Sequence, residues 1–291
     1  MKKIAVLEIK GGLGNQLFIL NFIQYLENKN FKVYALTDFY SKQTDSSIQT
    51  DKRNLYLEPS LLNLNIPKIK YSNFLNFMIK NKNQNTNLVQ KIFFKISELF
   101  ICYADDKNLI KKLNSSKRIF FINGYFQNYK LLQSNSELIS RLSNDPKFKF
   151  DITNKSKKIA VVHVRRKDYL NISEELDISY YKNALAFLKK TENNIKFDVY
   201  TDDILWCKEN TLFNEARLIK EATNENVIND FIKMTRYKYY IISNSTYSYM
   251  AAYLSSYDDK IVISPKPWFK NLDFIDYDLI LNPGWEKIKN E

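Results

Sequence analysis

The run Ile159-Ala160-Val161-Val162-His163-Val164-Arg165-Arg166-Lys167-Asp168-Tyr169 sets the tightest limit on the fold. Its first half is short, apolar and β-branched, which is the composition of a buried strand. Its second half places the chain's one histidine, two adjacent arginines and a carboxylate at the strand's end. In an open parallel α/β sheet that end is where ligands bind. Two guanidinium forks there suit a phosphate or a carboxylate, which they bond in bidentate fashion. A structural Arg–Asp ion pair fits the same residues on local grounds. The rest of the chain has to decide between them.

The N-terminus repeats the pattern. Lys3–Ile9 reads as a strand and runs into Gly11-Gly12-Leu13-Gly14-Asn15-Gln16, a turn holding three of the chain's five glycines. Leu17 to Leu26 follows, apolar nearly all round, as a buried helix. Strand, glycine turn and helix together bring backbone close to a ligand and aim a helix N-terminus at it. The turn lacks the G-x-G-x-x-G spacing of a dinucleotide site and the Lys-Ser/Thr pair of a P-loop. Asn15 and Gln16 add amide donors and acceptors of the kind that hold a sugar.

Further along, Phe31–Leu36 is read as a strand and Leu88–Tyr103 as an amphipathic helix with Phe93, Phe94 and Phe100 in a core. Arg118–Ile122 is another strand, followed by Gly124-Tyr125-Phe126-Gln127-Asn128-Tyr129-Lys130, where a glycine turn meets aromatic and amide groups. On local grounds a plain strand-to-helix turn explains that stretch as well. The polar, proline-containing stretch from Ser143 to Lys158 marks a linker. Beyond the Ile159 strand come a helix at Tyr180–Lys190, a strand at Lys196–Tyr200 ending in Thr201-Asp202-Asp203, and a helix containing Trp206. A helix begins at Asp230–Met234, and Tyr239–Ile242 is a strand leading into Ser243-Asn244-Ser245-Thr246-Tyr247-Ser248. Hydroxyl and amide residues between a strand and a helix are cap chemistry and equally a phosphate cradle. Ile261–Ile263 is the last strand. Two β/α-alternating halves, each opening on a ligand-type turn, predict two Rossmann-like domains facing each other across a cleft, at 1–150 and 151–291.

A length of 291 residues suits two domains of about 150 each. No stretch approaches the roughly 20 apolar residues of a membrane span, and Glu8 and Lys10 break the N-terminal apolar run too early for a signal peptide. Cys102 and Cys207, far apart and without metal-ligand spacing, point to a reducing compartment and a cytoplasmic protein. The net charge of +12 invites a nucleic-acid reading. The lysines are scattered, however, and no helix-turn-helix, zinc-finger or RNA-recognition signature accompanies them. The same charge would favour peripheral contact with an anionic membrane surface.

The three turns Gly11–Phe18, His163–Tyr169 and Ser243–Ser248, in that order and at those separations, resemble the bacterial α-1,2-fucosyltransferases of glycosyltransferase family 11. Gly124–Lys130, Tyr200–Asp203, Asp230–Met234 and Pro265–Phe269 extend the resemblance over nearly the whole chain. It implies a GT-B fold and an inverting, metal-independent transfer of L-fucose from GDP-fucose. The acceptor implied is the 2-hydroxyl of a terminal galactose in a surface glycan of the O-antigen type, and no cofactor is expected. Fucosyl transfer with another linkage, another GDP-sugar transferase and a basic nucleic-acid-binding protein are the alternatives.

Without a metal, the charge on the departing diphosphate must be met by fixed cations and backbone donors. The resemblance assigns Arg165 to the β-phosphate, with Arg166 either bracing the site through Asp168 or adding positive potential. Asn244, Ser245 and Thr246 stand as further phosphate donors, and His163 beside the nucleotide. Asp230 is the candidate for the guanine edge, by a spacing similar to that in α-1,6-fucosyltransferases. Asp202 and Asp203 either support the nucleotide site or cap a helix. Gly12, Gly14, Asn15, Gln16, Tyr125 and Gln127 are expected on the sugar and acceptor side. For the general base, Asp168 and Glu8 are the nominees. Lys167 departs from the family's usual glycine; a positive φ there would strain a lysine. Tyr249-Met250 and Ile19-Leu20 also depart, and bear on acceptor preference. Asp276-Tyr277-Asp278 matches the D-x-D pattern of metal-dependent glycosyltransferases, but it stands in the C-terminal tail and is assigned no metal.

Overall fold

The chain alternates strands and helices, and its computed structural model describes residues 2–37, 39–40, 54–57, 88–106, 108–133, 138–143, 145–150, 156–271 and 279–290. It divides into two compact units, Met1–Arg141 and Leu142–Glu291.

The first unit contains β1 (Lys3–Glu8), α1 (Leu13–Asn28), β2 (Phe31–Leu36), α2 (Leu88–Ser97), β3 (Ile101–Asp105), α3 (Leu109–Leu113), β4 (Ile119–Asn123), α4 (Tyr129–Gln133) and α5 (Leu138–Leu142), whose last residue falls past the division. Its four strands are all parallel in the order β2-β1-β4-β3. The chain leaves β1 to one side for β2, then builds β3 and β4 on the other. The β1/β4 crevice is therefore the point where the strand order reverses, the place where open α/β sheets bind ligands. α1 is buried over most of its circumference, as its apolar composition demands, from Leu17, Phe18 and Ile19 to Phe22, Ile23 and Leu26.

The second unit contains β5 (Ser156–Val164), α6 (Lys167–Leu170), α7 (Ile178–Thr191), β6 (Lys196–Thr201), α8 (Ile204–Glu209), β7 (Leu218–Glu221), α9 (Val227–Met234), β8 (Tyr237–Ile241), α10 (Thr246–Tyr253), β9 (Ile261–Lys266) and β10 (Glu286–Lys289). Its six strands are again all parallel, in the order β10-β9-β8-β5-β6-β7. The reversal here lies between β5 and β8. Ala160, Val162 and Val164 of β5 pack with Tyr180, Tyr181 and Leu188 of α7 and with Phe197 and Val199 of β6 into one core. The expected α/β class with two Rossmann-like units is thus what the chain adopts.

The stretch expected as one helix to Tyr103 is two elements. α2 stops at Ser97, and after a turn Ile101–Asp105 enters the sheet as β3. Phe94 packs in a core with Tyr103 and Phe121. Phe93 and Phe100, expected in a core as well, are 39% and 70% exposed. The D-x-D run at Asp276–Asp278 lies outside the described residues.

Candidate functional site

Both switch points carry the residues singled out from the sequence. In the second unit, the loop after β5 begins with Arg165 and Arg166. Arg165 bonds Asp202 at 3.1 Å through Nη1 and Asp168 at 2.7 Å through Nη2. Burial opposes its charge, but the two carboxylates outweigh burial and raise its proton affinity above the ordinary arginine value. Asp202 also accepts the backbone N–H groups of Arg166 at 2.8 Å and Lys167 at 3.2 Å. Burial lifts its carboxyl above the usual range, against the pull of Arg165 and these N–H donors. Asp202 is therefore the anchor of the loop: one side chain fixes three consecutive residues that follow β5.

Arg166 does not brace Asp168, as the resemblance suggested. Its Nε bonds Asp203 at 3.3 Å and its guanidinium lies 4.1 Å from the Trp206 ring centroid, while Arg165 is the residue that reaches Asp168. The reason is directional, since consecutive residues leaving a strand point to opposite sides. Asp203 has a second duty, because its other oxygen accepts from Trp206 N and caps α8. The cap reading and the site-support reading both describe it. Lys167 opens α6 and is absent from the positive-φ positions, so lysine for glycine imposes no backbone strain there.

The neighbouring loop follows β8. His163 is buried and its Nδ1 lies 2.8 Å from Ser243 Oγ, which ties β5 to the start of that loop. Burial first, and Arg165 second, push the imidazole down to about 3, so it is neutral through the physiological range. Tyr169 adds a second tie by donating to Asn244 O at 2.9 Å, with Arg165 5.9 Å from its ring centroid. Asn244 is fully buried and donates its amide to Glu174 O at 2.7 Å, so its side chain holds framework rather than standing open to a ligand. Ser245 is the N-cap of α10 with extended backbone and no side-chain cap bond, and Thr246 opens the helix half-buried. With no acidic residue in its first turn, this N-terminus is suited to an anion. Asp230 lies on α9, which Tyr247 of the first α10 turn meets by donating to Val227 O at 2.8 Å. It is 3% exposed in the first turn of α9 and ion-paired with Lys220 of β7.

In the first unit, Gly11 takes a left-handed conformation (φ +78°) after β1. Its carbonyl accepts from Tyr40 OH at 3.0 Å and Gln16 Nε2 at 3.1 Å. Gly12 caps α1 without a side-chain bond and Gly14 is buried in its first turn. Asn15 and Gln127 meet across the β1/β4 switch point, with Gln127 Nε2 donating to Asn15 Oδ1 at 2.9 Å. Tyr125 stands beside them under the Lys10 ammonium, 4.9 Å from the ring centroid. Gln16, expected at the sugar side, is buried and belongs to the framework. Its amide donates to Gly11 O and Asn54 O, and its oxygen accepts from Tyr56 N and Leu57 N. Glu8 is buried at the end of β1.

Sequence reasoning missed several residues of these clusters. Asp106 accepts from Tyr125 N at 3.0 Å and Phe126 N at 2.8 Å and so shapes the Gly124 turn. No motif in the sequence marked it. Tyr40 and Lys10 likewise carried no local signal. Ser243 and Tyr169 lay inside quoted motifs without an assigned role.

A family model described as glycosyl transferase family 11 matches residues 4–289. The chain belongs to glycosyl transferase family 11. It is 29% identical to an alpha-1,2-colitosyltransferase of Escherichia coli, over 94% of this chain and 96% of that one. It is 25% identical to the O-antigen biosynthesis glycosyltransferase WbnK of Escherichia coli, over 90% and 93% of the two chains. Among solved structures, E. coli heptosyltransferase WaaC with ADP superposes with a TM-score of 0.46 at 9% identity, over 98% of this chain and 93% of that one. As a member of family 11 with two Rossmann-like units, the protein is a glycosyltransferase of the GT-B type.

Proposed function

We propose that this family 11 enzyme transfers L-fucose from GDP-fucose to the 2-hydroxyl of a terminal galactose in an O-antigen-type glycan, with inversion and without a metal. The observation that carries the reading is Arg165. It is a half-buried, permanently charged guanidinium held at a topological switch point by two carboxylates, in the strand pair that also carries the α10 N-terminus. Such a preorganised cation is what stabilises charge developing on a leaving diphosphate, because it need not reorganise as the bond breaks.

In this account Arg165 meets the β-phosphate, and the N–H groups of the α10 first turn with the Ser245 and Thr246 hydroxyls supply further donors. Neutral His163 positions Ser243 and through it the β8 loop beside the nucleotide. Arg166, Asp202 and Asp203 hold the Arg165 loop, and Asn244 holds the β8 loop from within. Asp230 reads the guanine N1–H and N2–H₂ edge, with Lys220 as the partner that shares its charge. The Gly12–Gly14 turn with Asn15, Tyr125 and Gln127 faces the sugar and acceptor. Asp168 and Glu8 remain the nominees for the base that takes the acceptor proton.

The α-1,2 linkage is supported by the colitosyltransferase relative, which also favours a second reading. Colitose is the 3-deoxy counterpart of fucose, and GDP-colitose would be handled by the same diphosphate chemistry. The test is a screen of β-galactoside glycans with GDP-fucose and GDP-colitose, read by GDP release and by NMR of the product linkage. An α-1,2-fucosyl product supports the first reading. A product formed from GDP-colitose alone supports the second, and release of GDP from neither donor sinks both.

The enzyme works, on this proposal, in the cytoplasm at the inner face of a membrane. Among the described residues, Ile92, Phe93, Ile96, Leu99 and Phe100 are exposed on α2 and the turn after it, with Lys91 and Lys95 between them. Apolar side chains interleaved with lysines suit an anionic lipid surface. Co-sedimentation with phosphatidylglycerol vesicles that is lost in Leu99→Ser/Phe100→Ser supports the contact, and equal sedimentation of both proteins removes it.

A further inference from the structure

We propose a second anion site in the C-terminal unit, a cavity that takes a phosphate or diphosphate group and is separate from the Arg165 loop. The cavity, of about 520 Å³, opens between α9 and the segment around Pro146–Lys149. Its volume lies within the range of small-ligand sites. Four cations line it, Lys147, Lys149, Lys233 and Arg236, and among the described residues no carboxylate does. The amides of Asn226 and Asn229 complete its polar wall.

The lining follows from helix geometry. Asn226, Asn229, Lys233 and Arg236 recur at spacings of three and four residues, so they form one stripe along α9 and past its end. Asp230 lies off that stripe and turns inward to Lys220. Asp145, next to the lining in sequence, is buried and lies 3.4 Å from Lys147 Nζ. Among the described residues, Lys149, Lys233 and Arg236 thus have no carboxylate in the cavity's walls to offset them.

Arg236 makes the strongest case. Its Nε is buried and has no hydrogen-bond partner among the described residues. A buried guanidinium N–H without an acceptor is costly, and native structures rarely leave one. An anion in the cavity pairs with the guanidinium charge and relieves the repulsion among the lysines at the same time. Arg236 immediately precedes β8, whereas Arg165 follows the C-terminal end of the parallel neighbour β5. The two arginines are therefore at opposite ends of the sheet, and one diphosphate cannot satisfy both.

The chemistry recognised is a phosphate dianion or diphosphate, free in solution or at the head of a lipid. The test is isothermal titration of inorganic pyrophosphate into the Arg165→Ala protein, which silences the loop after β5, under conditions where circular dichroism and a urea melt show it folded. The same titration is made after adding Lys149→Glu and Lys233→Glu, both exposed positions, and separately after adding Arg236→Gln. Binding to Arg165→Ala that weakens about tenfold or more in both further variants is the expected result. Absence of binding to the Arg165→Ala protein, or binding equal in all three, overturns the site. Displacement of pyrophosphate by soluble dihexanoyl phosphatidic acid assigns the site to a lipid headgroup. Pyrophosphate binding untouched by that lipid assigns it to a soluble phosphate, and both results keep the site.

Discussion

Arg165 is charged, mostly buried and flanked by Asp168 and Asp202, so its removal has two consequences. Arg165→Ala deletes a leaving-group cation, and turnover is expected to fall by about 10²–10³, or ~3–4 kcal/mol. It also leaves Asp202 buried without its cation, which costs about 3–5 kcal/mol of stability. Arg165→Lys separates the two effects, because it keeps the charge and loses the bidentate fork. A slowed but well-folded Arg165→Lys enzyme, by GDP release and urea melts, is the expected outcome.

His163 makes a pH prediction. Its proton affinity is depressed to about 3, through burial and then Arg165. Between that value and the ordinary 6.5 the unfolded chain binds a proton that the folded chain does not. Stability is thus full above about pH 6.5 and falls as pH drops toward 3, with a slope of at most about 1.4 kcal/mol per pH unit from this group. Urea midpoints measured from about pH 7 down to 4.5 should show a shallower decline for His163→Gln. Identical slopes would mean the imidazole is not held neutral. Neither this pairing with Ser243 nor the Asp202 anchor could be read from sequence. Both join residues on different strands, and only the parallel register brings the pairs together.

At the scale of elements, the strands of the sheet interiors were legible and three of the edges or near-edges were not. β1, β4, β5 and β8 are buried and apolar, so their composition announces them. β3, β7 and β10 each stand at the edge of a sheet, where one side has no partner. β7 reads Leu-Ile-Lys-Glu and β10 reads Glu-Lys-Ile-Lys, the charged and short character by which edge strands avoid pairing with other chains. β2, the remaining edge, keeps four buried residues in six and was found. The turns were visible because glycine is scarce in this chain. Gly124 shows why one is needed: a Cβ there would run into the Asp106 carboxylate that holds the turn. Gly124→Ala is expected to displace Tyr125 and Gln127 and raise the acceptor KM more than it lowers kcat. A variant with unchanged acceptor KM would take the β4 turn out of the sugar side.

For the whole molecule, two Rossmann-like units were legible because each half opens with a buried strand and a ligand-type turn. The net charge of +12 remained ambiguous, since composition alone does not say where charge collects. The structure distributes part of it over Arg165, Arg166, Arg217 and Lys220, each paired with an aspartate of the second unit. These cations are engaged singly, and the sequence offers no basic stripe to track a row of phosphates. A gel shift with duplex DNA is expected to show no retained complex at about 200 mM salt. A salt-resistant complex would revive the nucleic-acid reading.

The central claim is that a diphosphate leaves against Arg165 at the β5/β8 switch point. GDP release from GDP-fucose in the presence of a β-galactoside and excess EDTA tests it most directly, with wild-type and Arg165→Lys proteins compared. The account predicts steady release by the wild type, undiminished by EDTA, and a loss of about 10²-fold or more in the variant. Equal release by the two proteins, or release by the wild type abolished by EDTA, would contradict it.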